Sequence, residues 1–247
     1  MSAFMSTVGV LTTAEETVHG GCIYNEGYIR FEGSFGATLC NTLKEGDATP
    51  GNGSGIWNGA GGKIIFKEFA EITYCGQLDE GLGRASLGGA IFSMGKMTFF
   101  GQVGSFVRND AKAGGAIYNE GELKFLREST IHFRDNQADE DGAGVYNEGT
   151  LVMRSREAWF ASNYAGGDGG AIFNQEGGMM TFVKPVAFDE NRADGNGGAF
   201  YLSYDAVDDL PTRATYTGNY GPNPEFNFFC DDVYVKGEME GDYYCLP

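Results

Sequence analysis

Short runs of alternating apolar and polar residues recur along the chain, divided by glycine, asparagine and acidic residues. The clearest unit begins GGAIYNEGELKF at Gly114 and returns as GAGVYNEGTLVM at Gly142. Its first block also starts at Gly20, Gly53, Gly88, Gly169 and Gly197, so successive starts lie 33, 35, 26, 28, 27 and 28 residues apart. A second block follows in each of the first six units, as YIRF, KIIF, KMTF, ELKF, TLVM and MMTF. A third block is an aromatic residue, two further residues and an asparagine: FVRN, FRDN, FASN, FDEN and YTGN, beginning at Phe106, Phe133, Phe160, Phe188 and Tyr216. Tyr74 with Gln77 reads as a decayed copy of it, and Ala37 with Asn41 as a more distant one.

These runs are too short for helices, and their period is two. In the second block Ile29, Ile64, Met97, Leu123, Leu151 and Met180 share one slot. Phe31, Phe66, Phe99, Phe125, Met153 and Phe182 share the slot two places on, and a mixed set lies between. That is an in-out-in strand with a variable outer position. Three strands in a unit of about 27 residues predict one coil of a parallel β-helix, each coil stacked on the last at about 4.8 Å. The fold class expected is therefore all-β: a single-stranded right-handed parallel β-helix of about seven coils with terminal caps. Residues 1–19 are assigned to an N-terminal cap or tail, 20–220 to the repeats and 221–247 to a C-terminal cap. The surplus residues of the two longer units, Lys44–Gly55 and Gly76–Ser86, are glycine-rich and polar and read as loops.

The first block carries the most detail. Its fourth slot (Ile23, Ile56, Ile91, Ile117, Val145, Ile172, Phe200) faces inward. Its sixth holds Asn25, Asn58, Ser93, Asn119, Asn147, Asn174 and Leu202, of the same parity, so the asparagines predict an internal ladder of side-chain amides. Asn109, Asn136, Asn163, Asn191 and Asn219 of the third block predict a second ladder. The fifth slot then points outward, and holds Tyr24, Trp57, Phe92, Tyr118, Tyr146, Phe173 and Tyr201. Two readings of this stripe stand side by side. It is a self-stacking ladder that stiffens one face, or a flat surface for a protein partner, since a bare stripe of seven aromatics exceeds what a monomer ordinarily exposes.

GGA followed by Ile or Val, paired with FxxN and repeated over residues 20–220, resembles the repeats of polymorphic outer membrane proteins. These are autotransporter-like adhesins of chlamydiae, with similar repeats in some algal and protist proteins. The resemblance implies a right-handed β-helix that acts outside the cytoplasm (secreted, at the cell surface or in an organelle lumen), in adhesion and protein contact and without catalysis. The segment CDDVYVKGEMEGDYYCLP departs from the bacterial members, being far too short for a translocating barrel, and reads as a cap over the last strand edge.

Composition narrows the chemistry. The 247 residues include 40 glycines, and 34 acidic groups against 17 basic ones leave a net charge of −17. Nucleic acid and anionic lipid are poor partners for such a surface. No apolar run reaches the roughly 20 residues of a membrane helix. The opening segment MSAFMSTVGVLTTAEETV lacks a basic residue ahead of its mildly apolar stretch, and reads as a poor secretory signal. Of five cysteines, Cys230 and Cys245 flank a segment they could close as a disulfide, and Cys40 and Cys75 are a second candidate pair on adjacent coils, leaving Cys22 over.

A carbohydrate-binding β-helix, or a polysaccharide lyase or hydrolase on the same fold, is the alternative function. A lyase needs a base and frequently a metal, and no paired basic cluster stands out. A glycosidase needs two carboxylates about 5–10 Å apart, and Asp135, Asp189 and Glu190 are the candidates on neighbouring coils. No catalytic residue, cofactor or metal ligand set is assigned. Calcium is the one ion kept in view, because Asp139, Glu140, Asp141, Asp168, Asp194 and Asn196 bring hard oxygens to the turns before the glycine pairs. His19 and His132 stand alone and read as surface residues.

Overall fold

In the computed structural model the chain is described over residues 19–40, 51–76, 85–101, 103–126, 130–202, 211 and 213–221, with the strands Val233–Lys236 and Tyr243–Leu246 beyond. The segment 1–18 assigned to an N-terminal cap or tail lies outside the described residues. The chain winds as a parallel β-helix, and its strands line up coil over coil in four sheets. The first sheet collects the first blocks, from Ile23–Asn25 through Ile117–Asn119 to Phe200–Leu202. The second collects the second blocks, from Tyr28–Phe31 to Met179–Phe182, and the third the third blocks, from Phe35–Thr38 to Ala214–Thr217. Register is residue on residue: Ile117 pairs with Val145 and Val145 with Ile172, while Tyr118 and Asn119 pair with Tyr146 and Asn147.

The fourth sheet is an addition to the three strands per coil expected. It is built from Ala85–Leu87, Asp110–Ala113, Gln137–Ala138, Tyr164–Ala165 and Arg192–Ala193. Its inward slot holds only alanine, with Ala111, Ala138, Ala165 and Ala193 stacked and buried. Ala138 and Ala165 pack with Ala143 in a small apolar cluster of their own. The signal of this sheet was in the sequence as an extension of the third block, N-x-A, in NDA, NQA, NYA and NRA. Two-residue strands fall below the run length at which period-two alternation can be read.

Two columns of phenylalanine fill the lumen. Phe31, Phe66, Phe99 and Phe125 stack face to face at 5.0, 4.5 and 4.8 Å. Phe106, Phe133, Phe160 and Phe188 do the same at 4.9, 4.6 and 5.1 Å. The columns meet edge to face, with Phe125 at 6.2 Å from Phe106 and 6.0 Å from Phe133, the geometry that aromatic quadrupoles favour. The coil period supplies the ring spacing, so in-register stacking and aromatic contact reinforce each other.

The corners are backbone devices. The first glycine of each pair turns the chain from the fourth sheet into the first with φ of 63–68°, and at Gly114 an added Cβ would lie 2.6 Å from the Ile117 carbonyl oxygen. Between the third and fourth sheets the left-handed residue carries a side chain: Leu39, Tyr74, Arg108, Asp135, Ser162 and Glu190 have φ of 51–56°. Such a residue costs roughly 1–2 kcal/mol. In later repeats the asparagine that directly follows the left-handed residue supplies offsetting bonds.

At the C-terminal end Val233–Lys236 adds to Phe200–Leu202 in parallel, and Tyr243–Leu246 returns antiparallel to it. The first sheet is thereby extended past the last coil. Phe125→Ala should lower unfolding free energy by about 3–5 kcal/mol, since Phe99 on one side and Met153 on the other are held apart by the strand spacing and the site cannot collapse. The neighbouring outward-facing substitution Lys124→Ala should cost less than about 0.5 kcal/mol, and urea unfolding of the two variants makes the comparison.

Candidate functional site

The polar and aromatic residues that make the repeat recognisable are bonded to one another from coil to coil. In the third-block ladder the Asn136 side-chain oxygen accepts the backbone N–H of Asn109 at 3.0 Å and its side-chain N–H at 3.1 Å. The Asn136 Nδ2 in turn donates to Asn163 Oδ1 at 2.9 Å and to the Phe106 carbonyl at 3.0 Å. Asn163 and Asn191 repeat the pattern onto Asn191 and Asn219, with side-chain contacts of 2.8 and 2.9 Å. Asn109, Asn136, Asn163 and Asn191 thus tie the corners of their own coils to both neighbours, and all five asparagines are buried. Buried amides with every such bond made are stabilising, whereas a lone unmade one is costly.

The column continues toward the N-terminus with different residues from those expected. Backbone register places Ala37 on Ile72 and Ile72 on Phe106, so the residues that stand over Asn109 are Cys75 and Cys40, while Gln77 and Asn41 lie outside the described residues. Cys75 still donates its backbone N–H to Asn109 Oδ1 at 3.1 Å. The disulfide also differs from the expected Cys40–Cys75 pair. Cys22 is bonded to Cys40 with Cα atoms 5.6 Å apart, and Cys75 is a buried free thiol. The reason is that the third slot of the first block lies across the coil from the ladder slot. In the next coil that third slot is Gly55, which offers Cys75 no sulfur. Cys230 lies outside the described residues, as does the side chain of Cys245.

In the first-block ladder Asn25 donates to Asn58 at 2.7 Å, Asn119 to Asn147 at 2.8 Å and Asn147 to Asn174 at 2.7 Å. The run is interrupted at Ser93, whose hydroxyl takes the Asn58 amide at 3.1 Å. Serine is too short to offer an amide to the next rung, and Asn119 Oδ1 is buried with no hydrogen-bond partner among the described residues.

The aromatic residues point away from the main core but lie largely under cover. Tyr118 stacks on Tyr146 at 4.5 Å, Tyr146 on Phe173 at 4.8 Å, and Phe173 on Tyr201 at 4.7 Å. At the other end Tyr24 stacks on Trp57 at 4.4 Å, and Phe92 on Tyr118 at 5.6 Å. Trp57, Phe92, Tyr118 and Phe173 keep only 4–8% exposure, Tyr146 and Tyr201 are half-buried, and Tyr24 is 38% exposed. The glycine corner bends the fourth sheet toward the first, and Leu87, Ala113 and Met94 join the rings in a second apolar cluster. A bare flat stripe is therefore replaced by a sheltered column.

Hydroxyl groups along the column meet a row of acceptors. Tyr118 donates to Glu148 at 2.5 Å, Tyr146 to Gln175 at 2.6 Å and Tyr24 to Glu26 at 3.0 Å. Burial, with the Glu148 charge added, holds the Tyr118 hydroxyl far above the ordinary tyrosine range and pushes Tyr146 up to about 12. Burial and then Glu148 also raise the Glu120 carboxyl.

A further polar column runs beside the rings, in the position just before each glycine pair. Asp141 Oδ1 accepts the Asp168 backbone N–H at 2.7 Å, and Asp168 Oδ1 accepts that of Asn196 at 2.6 Å. His19 Nδ1 accepts the Asn52 N–H at 3.0 Å in the corresponding place between the first two described coils. The acidic turn residues considered for calcium are thus divided. Asp141 and Asp168 cap backbone amides, Asn196 gives its backbone and side-chain N–H to Asp168 while its own Oδ1 is buried with no hydrogen-bond partner among the described residues, Glu140 pairs with Lys112 at 3.1 Å, and Asp194 meets Arg192 at 2.9 Å and Tyr164 at 2.6 Å. Among the described residues no group of three or more His, Cys, Asp or Glu is placed to hold a metal ion. Of the carboxylates considered for glycoside cleavage, Asp135 stands between Arg108 and Arg134, at 3.6 and 3.4 Å.

The outward slots of the third sheet vary freely and hold the large apolar side chain that sequence parity left unremarked. Trp159 is 45% exposed, between His132 and Ala187 in register. Burial, then the Arg134 charge, lowers the His132 pKa.

Against known proteins, the family model described as the Chlamydia polymorphic membrane protein repeat matches residues 185–203. That segment contains the FDEN and GGAFYL blocks, so the match rests on one third-block and one first-block copy. No curated protein and no solved structure matches the chain. No described helix is long and apolar enough to cross a membrane.

Ser93→Asn should complete the first-block ladder and raise stability by about 1 kcal/mol, read as a higher urea midpoint at unchanged slope. Asp141 supplies a pH signature. Burial, together with the charges of Asp168 and Glu140, pushes its carboxyl up to about 6, so the folded chain holds this proton more tightly than the unfolded one. Stability from this group is full below about pH 4 and declines as pH rises through 6. Asp141→Asn keeps the acceptor for Asp168 and removes the charge. It should gain about 1–2 kcal/mol at pH 7.5, after allowance for solvent screening, and nothing at pH 4. Thermal melts at the two pH values read the difference.

Proposed function

We propose that the protein is a non-enzymatic, adhesin-like β-helical scaffold that binds a protein partner, on its own or within a larger assembly, outside the cytoplasm. The observation that supports this most is the use to which the repeated residues are put. The ladder amides and the Tyr118, Tyr146 and Tyr164 hydroxyls are engaged between coils, which accounts for the repeat by stacking rather than by chemistry. The match to a membrane-protein repeat at residues 185–203 is in keeping with a surface location. Partner contact falls to the residues that face outward. On the aromatic face these are the accessible rungs Tyr24, Tyr146 and Tyr201 with the acidic row of Glu26, Glu120 and Glu148, a setting suited to a partner with basic side chains. The covered rungs Trp57, Phe92, Tyr118 and Phe173 give that face a rigid floor.

A carbohydrate is the second reading, favoured by one observation: the exposed Trp159 indole on a flat sheet with the small Ala187 beside it, a platform on which a sugar ring can stack. The net charge of −17 disfavours an acidic glycan.

Immobilised protein offered to extracellular extract, and separately to a panel of neutral glycans, distinguishes the two. Tyr24→Ala with Glu26→Ala should lower capture of the protein partner more than about tenfold, while Trp159→Ala leaves it unchanged. Glycan retention lost in Trp159→Ala, with no protein captured by the parent chain, would replace the first reading by the second.

A further inference from the structure

The three cysteines of the first two coils are arranged so that one disulfide has two possible homes. Cys40 and Cys75 occupy successive positions of the ladder column, two residues beyond the paired Thr38 and Thr73. In-register neighbours on adjacent parallel strands stand about 4.8 Å apart, inside the Cα separation of about 4.4–6.8 Å that a disulfide spans. Gly76 donates its backbone N–H to the Cys40 carbonyl at 3.0 Å, which holds the two cysteine corners together. The Cys75 sulfur takes the place filled by an asparagine oxygen in later coils, where it faces the Cys40 backbone amide and the Thr73 carbonyl, the latter at 3.5 Å. Both Cys40 and Cys75 are buried in the main core, whereas Cys22 is exposed on the first described coil.

We propose that Cys22, Cys40 and Cys75 form an exchange relay that moves the disulfide inward and presents Cys22 as a modifiable surface thiol. The Cys75 thiolate donates an electron pair to Cys40 Sγ and forms the Cys40–Cys75 bond. The Cys22–Cys40 bond breaks, and its electron pair departs on Cys22 Sγ. The proton lost by Cys75 is balanced by one gained at Cys22, so no oxidant or reductant is consumed. The released Cys22 thiolate can then attack an external disulfide, forming a mixed disulfide at Cys22 and expelling the other half as a thiolate.

Burial pushes the Cys75 thiol up to about 11, which keeps it protonated and quiet in the closed core. Exchange therefore proceeds from local opening of the first described coil, on which Cys22 is exposed. The amide ladder below Cys75 stays intact, because Cys75 contributes its backbone N–H to Asn109 in either arrangement.

The test is N-ethylmaleimide labelling of the full-length native protein without reductant, followed by non-reducing peptide mapping. The relay requires maleimide on Cys22 and a Cys40–Cys75 peptide pair, accumulating together. In Cys75→Ser the Cys22–Cys40 pair should persist and Cys22 should label on the order of tenfold more slowly. Label only on Cys75, or none on Cys22 after prolonged incubation of the parent protein, overturns the proposal. Equal labelling of Cys22 in parent and Cys75→Ser overturns it as well. Should Cys75→Ser not fold, Cys22→Ser treated with oxidised glutathione replaces it. A Cys40–Cys75 pair must then form in the native state, and glutathionylated Cys75 or Cys40 without that pair rejects the relay.

Discussion

In-register stacking of parallel strands is the constraint on which the rest depends. Each coil places its residues directly over those of the coil before it, about one strand spacing away. A side chain in such a column must tolerate its like at close range, twice. Charge fails this test in a buried slot, and irregular shapes leave voids. Planar rings, amides and small side chains pass it, because their own favourable contact distance matches the coil period. The phenylalanine columns, the two amide ladders and the alanine wall are three answers to one spacing.

Polarity inside the rod is accordingly organised lengthwise. An asparagine at Asn136 satisfies groups in three coils, so its bonds are worth having only if Asn109 and Asn163 are present too. That cooperation supports the left-handed corners at Arg108, Asp135 and Ser162, which would be unfavourable in isolation. It also explains why departures are informative. Ser93 leaves an acceptor unmet, and Cys40 and Cys75 replace amides by sulfur at the end of the column. Asp141 and Asp168 cap backbone amides of the neighbouring coil with carboxylates, at the expense of burying charge.

For function, the division between inner and outer slots matters more than any single residue. The conspicuous repeat residues turn to neighbouring coils, which leaves the residues between them facing outward. The aromatic column is a sheltered stack, with Tyr24, Tyr146 and Tyr201 its more accessible rungs and a rim of acidic and amide groups beside it. A rod stiffened along its whole length keeps outward side chains on separate coils at fixed spacing, which favours recognition by a surface over recognition by a pocket.

The coil, its inward isoleucine slot, the phenylalanine slots and the asparagine parity were all legible in the sequence, because a period of two inside a period of about 27 admits few folds. The N-x-A extension was legible too, though it needed alignment of all the repeats rather than inspection of one strand. What tertiary structure alone decided depends on where the chain bends. Residue type drew attention to Asn41 and Gln77, whereas the left-handed corners at Leu39 and Tyr74 put Cys40 and Cys75 in the column. Parity says that the Tyr118 ring leaves the core; only the bend at Gly114 determines that it enters a second apolar cluster instead of water. The Cys22–Cys40 bond crosses the interior of a coil, and that distance is encoded by no spacing along the chain. Strand periodicity is a local property of the backbone, while shelter and cross-coil proximity arise from corner angles summed around a full turn.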